Sequence, residues 1–372
     1  MPVGEQAQRE AKRRFVVDAL ERIGKLRDVE VEACVPSPAP LGYRNKIELT
    51  FGTIEGRPIV GYHAADDPAR LVEVEVCPIG DARLTPALHV VRAGLGDGSL
   101  SPRPGRLVLR ASGAGRGVLV GFRDAGEPFP EAAGIARALE AHVPDLQGVV
   151  RLIATPGRRG GTRVETLSGH PWIDDVLLGR AYRVPAGTFL QVNAAAADVL
   201  ARHVVDGAGH VASVLELYGG VGAIGAALAE TGAGATIVDA DGDAIACGRE
   251  ATDGAGLKMR FVRADVLRFL RAERRPPELV VADPPRSGFG PGVGEALARL
   301  GPPRIALVSC DPPTLARDLA RLAAAGYRVE RVRPFDLFPQ TAHVEAVAWL
   351  TRRESPPRPP RAGSRRRGSG SR

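Results

Sequence analysis

Cysteine is scarce: Cys34, Cys77, Cys247 and Cys310 are the only four in 372 residues. No two stand close enough for a CxxC metal clip, and a chain of this length needs no disulfides to hold a core. Each is a buried apolar residue or a reactive thiol, and three of the four are expected to be inert. Long apolar runs are missing too, since none reaches the roughly 18 residues of a membrane-spanning helix. The opening MPVGEQAQREAKRR lacks the apolar core of a signal peptide, so a cytoplasmic location with no membrane partner is expected. No internal repeat is found. Nor does the body of the chain carry an excess of one charge. From Thr351 onward eight arginines and one acid account for the whole net charge of +7, while residues 1–350 hold 42 basic and 42 acidic side chains.

The length allows two domains with separate cores, and the apolar and charged fractions of 44% and 25% are ordinary for a globular chain. Residues 353–372, rich in Pro, Gly, Ser and Arg, cannot bury a core and are expected to be disordered. A mobile polycation there suits phosphate backbones, with binding that weakens as salt rises. A merely solubilising extension is the alternative.

Periodicity divides the rest. An amphipathic helix is expected from about Gln6 to Ile23, with Phe15, Val16, Leu20 and Ile23 on one face. Residues 1–27 form this first piece. Residues 28–187 read as a mixed α/β domain dominated by antiparallel sheet. Its strands are KIELTFG, RPIVGYH, RLVEVEV, RLVLRAS and GVLVGF, then Gly148–Ala154 and Thr162–Leu167, with helices near Asp81–Ala93 and Glu131–His142. Over residues 188–352 strands and helices alternate strictly, which indicates a doubly wound parallel sheet. Two closing strands, YRVERVRPF and HVEAVAWL, suggest an antiparallel addition at one edge.

In such a sheet ligands bind beyond the carboxyl ends of the strands, where the strand order reverses. The first strand ends at Tyr218 and is followed by Gly219-Gly220-Val221-Gly222, a turn whose backbone can approach a ligand closely. The second ends at Asp239, placed to accept hydrogen bonds from ribose hydroxyls. Taken alone, Gly220-Val-Gly222-Ala-Ile-Gly225 fits a nicotinamide dinucleotide as well as S-adenosylmethionine. The fourth strand separates the two, because it ends in Asp283-Pro284-Pro285-Arg286. An acid at the cleft followed by a rigid turn points to a methyltransferase acting on a planar nitrogen heterocycle or a nucleic acid.

The fifth strand delivers Ser309-Cys310-Asp311-Pro312 to the same edge. A thiol before a helix N-terminus is placed where the dipole favours thiolate, although most cysteines are inert. Carbon 5 of uracil is too weak a nucleophile to attack a sulfonium methyl group. Addition of a thiolate to carbon 6 makes an enolate of the ring, and the carbon-5 proton must later leave to a separate base. Glu345 is the candidate base, since it begins the apolar strand AVAWL, where a carboxylate is otherwise explained only by capping or pairing.

The segments SCDPPTLARDL, ADPPR, FDLFPQTAHVE, GTFLQVN and LELYGGVG together resemble the signature of the RNA (uracil-5-)-methyltransferase family, over about Tyr43 to Leu350. That family makes 5-methyluridine in tRNA and 23S ribosomal RNA. The resemblance implies a Rossmann-like class I methyltransferase domain with a mostly parallel seven-stranded sheet, behind an α+β RNA-binding domain. It implies Cys310 as nucleophile, Glu345 as base, and Gln191, Tyr218, Asp239 and Asp283 as contacts of S-adenosylmethionine. Gln191 and Tyr218 could instead be structural. Asp265 could meet the adenine amine, but helix capping explains it nearly as well.

The chain departs from the family in several places. Gly219 stands where a cysteine is usual, and Ala223 replaces a frequent polar residue. Cys77 looks like one ligand of an iron–sulfur site whose partners are missing, so no cluster and no other metal is expected. The amino-terminal barrel of some ribosomal members is not expected either. Tyr43-Arg44-Asn45-Lys46 offers a stacking ring with donors, and Arg158-Arg159-Gly-Gly-Thr-Arg163 a basic hairpin, either of which could meet RNA. The expected partner is RNA bound by a monomer, with 23S ribosomal RNA ahead of tRNA because EVEVCPIGDARL looks more like the ribosomal branch. A nicotinamide-dependent oxidoreductase and a silent RNA-binding protein are the competing readings.

Overall fold

A computed structural model describes residues 3–113, 115–155 and 161–353. The run Arg158-Arg159 and the arginine-rich tail from residue 354 lie outside the described residues. The carboxyl-terminal half is built on a sheet whose strands run 30–31, 327–335, 345–352, 304–309, 279–282, 213–217, 234–239 and 259–263 from edge to edge. All are parallel except Glu345–Arg352, which is antiparallel to both neighbours. That strand lies inside the sheet rather than at its edge, because Tyr327–Phe335 crosses over to flank it.

The sequence led us to expect seven strands, and the eighth is Glu30–Val31, paired in parallel with Arg331 and Val332. Val35 extends the contact by a bridge to Phe335. Residues 28–35, assigned from sequence to the central domain, therefore pair with the carboxyl-terminal sheet. Helices 194–208, 223–230 and 242–252 cover one face, and helices 5–22, 266–272, 293–300 and 312–324 the other. This is the doubly wound arrangement.

The first helix, Glu5–Arg22, differs from expectation in its buried stripe. Lys12, Val16, Ala19 and Leu20 are buried, whereas Phe15 and Ile23 are 46% and 45% exposed. The positions 12, 16, 19 and 20 follow helical spacing, so the stripe is intact but rotated toward a lysine. Charge hid it from the apolar pattern.

The central domain carries a seven-stranded sheet in the order 71–73, 57–63, 46–54, 106–111, 118–124, 146–155, 161–169. Neighbours are antiparallel except 118–124 with 146–155, which the crossover helix Ala132–His142 joins in parallel. Alternation sets the faces: Ile47, Leu49 and Phe51 are buried, while Lys46, Glu48 and Thr50 are half-buried. Helices 85–97 and 132–142 pack on one face. On the other, Val108, Leu119, Val150 and Leu152 meet a hairpin, Trp172–Leu177 with Arg180–Pro185, and through it helix 242–252. The sequence reading missed this hairpin. Its turn residues Leu178 and Gly179 have φ of 50° and 83°, the geometry of a two-residue turn usually written Asn-Gly.

Candidate active site

The strand order reverses between Ser213–Leu217 and Leu279–Ala282, which lie side by side, so the crevice expected of a doubly wound sheet opens above them. A cavity of about 660 Å³ occupies it, and Gln191, Tyr218, Asp239, Asp283, Cys310 and Glu345 all line it. The structure thus brings together every site residue singled out from the sequence except Asp265. That carboxylate accepts from the Arg268 backbone N–H at 3.0 Å and caps helix 266–272. It takes no part in the cavity wall.

The turn after the first strand is shaped by its glycines. Gly222 has φ of 74°, a left-handed conformation that favours glycine. A Cβ on Gly225 would come within 2.3 Å of Ile237 and 2.7 Å of the Glu216 carboxylate, so helix 223–230 can approach the sheet only without one. Tyr218 also has positive φ, 57°, a strained state for a non-glycine residue that is often held at a binding site. Its ring stacks on Phe289 at 6.4 Å. Asp239 accepts from the backbone N–H of Gly220 and of Asp241, each at 2.8 Å. That uses two of about four acceptor positions on the carboxylate and leaves the others for hydroxyl groups. Gln191 donates no side-chain hydrogen bond within the described residues and is half-buried at the wall.

Antiparallel pairing joins the two reacting candidates. Ser309 lies opposite Ala346, so Cys310 and Glu345 stand at adjoining strand ends, and both line the same cavity. Asp311 caps the next helix, accepting from the Thr314 backbone N–H at 2.8 Å, which fixes the sharp exit of the chain after Cys310. Glu345 is 3% exposed and forms no ion pair among the described residues, so neither capping nor pairing accounts for it.

The electrostatics correct one expectation. Burial raises the Cys310 thiol to about 11, and Glu345 and Asp283 add to the rise while Arg286 opposes it. Burial beside two acids thus opposes the thiolate that a helix end favours. Burial also raises Glu345 well above the usual carboxylate range, with Asp283 adding and Arg286 opposing. Asp283 is exposed to the cavity, and desolvation there raises it to about 6. Glu216, which the sequence reading passed over, is raised to about 8 by burial despite a hydrogen bond from the Gly225 N–H.

Six acidic side chains and two arginines, Arg44 and Arg286, stand on the wall. Such an acidic, enclosed site suits a ligand that brings its own positive charge. A sulfonium with an ammonium group, attached to an adenosine, has that chemistry, so the residues present fit S-adenosylmethionine.

The second sequence-based expectation that fails concerns Tyr43-Arg44-Asn45-Lys46. Tyr43 is buried and its hydroxyl donates to the Pro339 carbonyl at 2.9 Å, so its ring is no stacking platform. Asn45 is buried as well, and Lys46 pairs with Glu48 at 2.8 Å. Arg44 alone of the four reaches the cavity. Two aromatic residues at the wall, Phe189 and Phe338, were quoted only within longer segments. Phe189 is 69% exposed, and such exposure of a large apolar ring beside a cavity is the signal that marks it.

Comparison with known proteins agrees. The model of the tRNA (uracil-5-)-methyltransferase family matches residues 251–353. An uncharacterized RNA methyltransferase of Gloeobacter violaceus is 36% identical over 361 residues, covering 93% of this chain and 78% of the relative. The chain belongs to the RNA (uracil-5-)-methyltransferase family. A second RNA methyltransferase, from Thermosynechococcus vestitus, is 32% identical over 92% of this chain and 78% of its own length. Among solved structures, a tRNA (uracil-54, C5)-methyltransferase of Pyrococcus abyssi in complex with S-adenosyl-L-homocysteine superposes with a TM-score of 0.74. It is 25% identical and covers 94% of this chain and 84% of the other. This enzyme is an RNA methyltransferase that takes its methyl group from S-adenosylmethionine. No described helix is long and apolar enough to cross a membrane.

Proposed function

We propose that the enzyme methylates carbon 5 of a uridine through a covalent adduct between Cys310 and carbon 6. The supporting observation is the placement of Cys310 and Glu345 at adjoining strand ends on the wall of one cavity with Tyr218, Asp239 and Asp283. S-adenosylmethionine, when bound, supplies an electrophilic methyl group. Gln191, Tyr218, Asp239 and Asp283 hold that donor, the last through its charge. Cys310 releases its proton to solvent as the ring of the target enters, and its sulfur bonds to carbon 6 while the carbon 5–carbon 6 π electrons shift into an enolate toward oxygen 4. Carbon 5, now nucleophilic, accepts the methyl group. Glu345 then removes the carbon-5 proton, the carbon 5–carbon 6 double bond re-forms and the sulfur is expelled. Because burial raises its pKa, Glu345, once ionised, is a stronger proton acceptor than a solvated carboxylate. The target base must leave its stack to reach this cavity.

Two observations bear on which RNA is used, and they pull apart. The family model and the Pyrococcus abyssi neighbour, which acts on tRNA uridine 54, favour tRNA. The central segment EVEVCPIGDARL favours 23S ribosomal RNA. We take tRNA as the first reading and 23S ribosomal RNA as the second. Mass spectrometry of tRNA and ribosomal RNA fragments from a deletion strain decides: 5-methyluridine lost from tRNA alone supports the first, and loss confined to 23S rRNA overturns it.

A further inference from the structure

The segment Asp336-Leu337-Phe338-Pro339-Gln340 puts Leu337 and Phe338 on the cavity wall and precedes Glu345 in the chain. It is held by side chains from three distant parts of the chain. Asn193 donates to the Leu337 carbonyl at 2.9 Å and Tyr43 to the Pro339 carbonyl at 2.9 Å. From the first helix, Lys12 pairs with the Asp336 carboxylate and donates to the Phe338 carbonyl at 2.9 Å. Gln8 accepts from the Gln340 backbone N–H at 3.0 Å and donates to the Gln340 side chain at 2.9 Å. Gln340 itself has φ of 66°, a conformation that a non-glycine residue keeps only when its surroundings impose it.

Lys12 is 1% exposed and Asp336 5%. A buried ion pair gives little net stability, because desolvation offsets the attraction, and two apolar side chains would pack there as well. What the pair adds is direction. An ammonium with a carboxylate on one side and the Phe338 carbonyl on another fixes where this segment lies, which a leucine could not.

We propose that Lys12, supported by Gln8, is a positioning residue for proton removal: the first helix acts as a strut that sets Phe338 and Glu345 against the cavity. This rests on the covalent reading of Cys310 and Glu345. Cys310 is carried by strand Arg304–Ser309 and the cap of helix 312–324, which itself packs on the first helix. The hydrogen bonds that Lys12 and Gln8 make to residues 336–340 do not reach Cys310, so replacing those two side chains should disturb the base step and not the addition step.

The test uses the full chain with Lys12→Met, Gln8→Ala and the double variant Lys12→Met/Asp336→Leu. Four quantities are followed: turnover of uridine RNA, the trapping rate with 5-fluorouridine RNA, S-adenosylmethionine affinity and the melting temperature. With 5-fluorouridine the adduct forms and methylates but cannot lose fluorine to a base, so trapping reports addition and methyl transfer without proton removal. Lys12→Met should lower kcat by about a hundredfold, the order expected from an ångström-scale displacement, and Gln8→Ala by about tenfold. Trapping and cofactor affinity should stay within threefold of wild type. The double variant should regain the melting temperature but not the turnover. Gln8→Ala leaves the buried pair intact, so it reads the proposal even if Lys12→Met fails to fold. Wild-type turnover in Gln8→Ala or in the double variant overturns the strut. So does trapping that falls in step with turnover. Turnover retained by Cys310→Ala would instead sink the covalent reading beneath it.

Discussion

The two halves of the molecule place their important side chains by different rules. In the carboxyl-terminal domain, Tyr218, Asp239, Asp283 and Cys310 all stand at or just past the carboxyl ends of parallel strands, and parallel strands end on a common side. Knowing that the sheet is parallel is then enough to gather these residues at one cavity. In the central domain a side chain's exposure depends on strand register and on what covers each face. Tyr43 and Asn45 look like surface donors in the sequence, yet both are buried, Tyr43 with its hydroxyl on the Pro339 carbonyl and Asn45 with its N–H on the Val192 carbonyl. Parallel topology makes four of the site residues legible, whereas packing between sheets hides the exposure of Tyr43 and Asn45.

The largest expected effects fall in the legible half. Cys310→Ala should lower turnover by at least about 10⁴-fold, as removal of a nucleophile does, with cofactor binding retained. Calorimetry with S-adenosylmethionine and a discontinuous methylation assay check both parts. Glu345→Gln should cost about 10²–10⁴-fold in turnover and accumulate protein-bound, already methylated RNA on a denaturing gel. Free product in place of that band would remove Glu345 from the proton step.

A smaller effect tests the cofactor side. Asp239→Ala removes charged acceptors of two backbone N–H groups and of the expected hydroxyls, and should weaken S-adenosylmethionine by about ten- to a hundredfold. An unchanged titration would place the ribose elsewhere.

The acids of the cavity give a pH dependence. Glu216 is near 4.5 when unfolded and about 8 when folded. Within that window the unfolded chain has released a proton that the folded chain keeps. Stability of the ligand-free protein therefore falls as pH rises from about 4.5 to 8. Glu216→Gln should flatten that fall in chemical denaturation series. Binding of a cationic donor should release protons from the same acids, visible as a dependence of the calorimetric heat on buffer ionisation enthalpy. Proton uptake would contradict the sign.

The smallest effect belongs to the central domain. Tyr43→Phe removes only the hydroxyl that donates to Pro339, and should cost about 1 kcal/mol of stability with RNA affinity unchanged. A loss of RNA affinity at constant stability would return Tyr43 to the surface role and erase the contrast between the halves.

Legibility also failed for identifiable physical reasons. The alternation of strands and helices over 213–352 could be read because its central strands, 213–217, 279–282 and 304–309, are mostly apolar and buried. The hairpin 172–185 could not, since its strands carry Asp174, Asp175, Arg180 and Arg183 and its turn lacks the usual residues. Glu30–Val31 is too short to show a period. Lys12 was passed over because its burial depends on Asp336, a partner 324 residues away. The direction of the Cys310 shift was misjudged because helix ends are visible in a sequence and enclosure by Glu345 and Asp283 is not.

One measurement reaches the centre of the account. The enzyme is incubated with S-adenosylmethionine and a 5-fluorouridine-containing RNA, digested, and mapped by mass spectrometry. A methylated fluorouridine nucleotide attached to the peptide bearing Cys310 is the predicted product. Attachment at Cys34, Cys77 or Cys247, or no attachment while natural RNA is methylated normally, would contradict it.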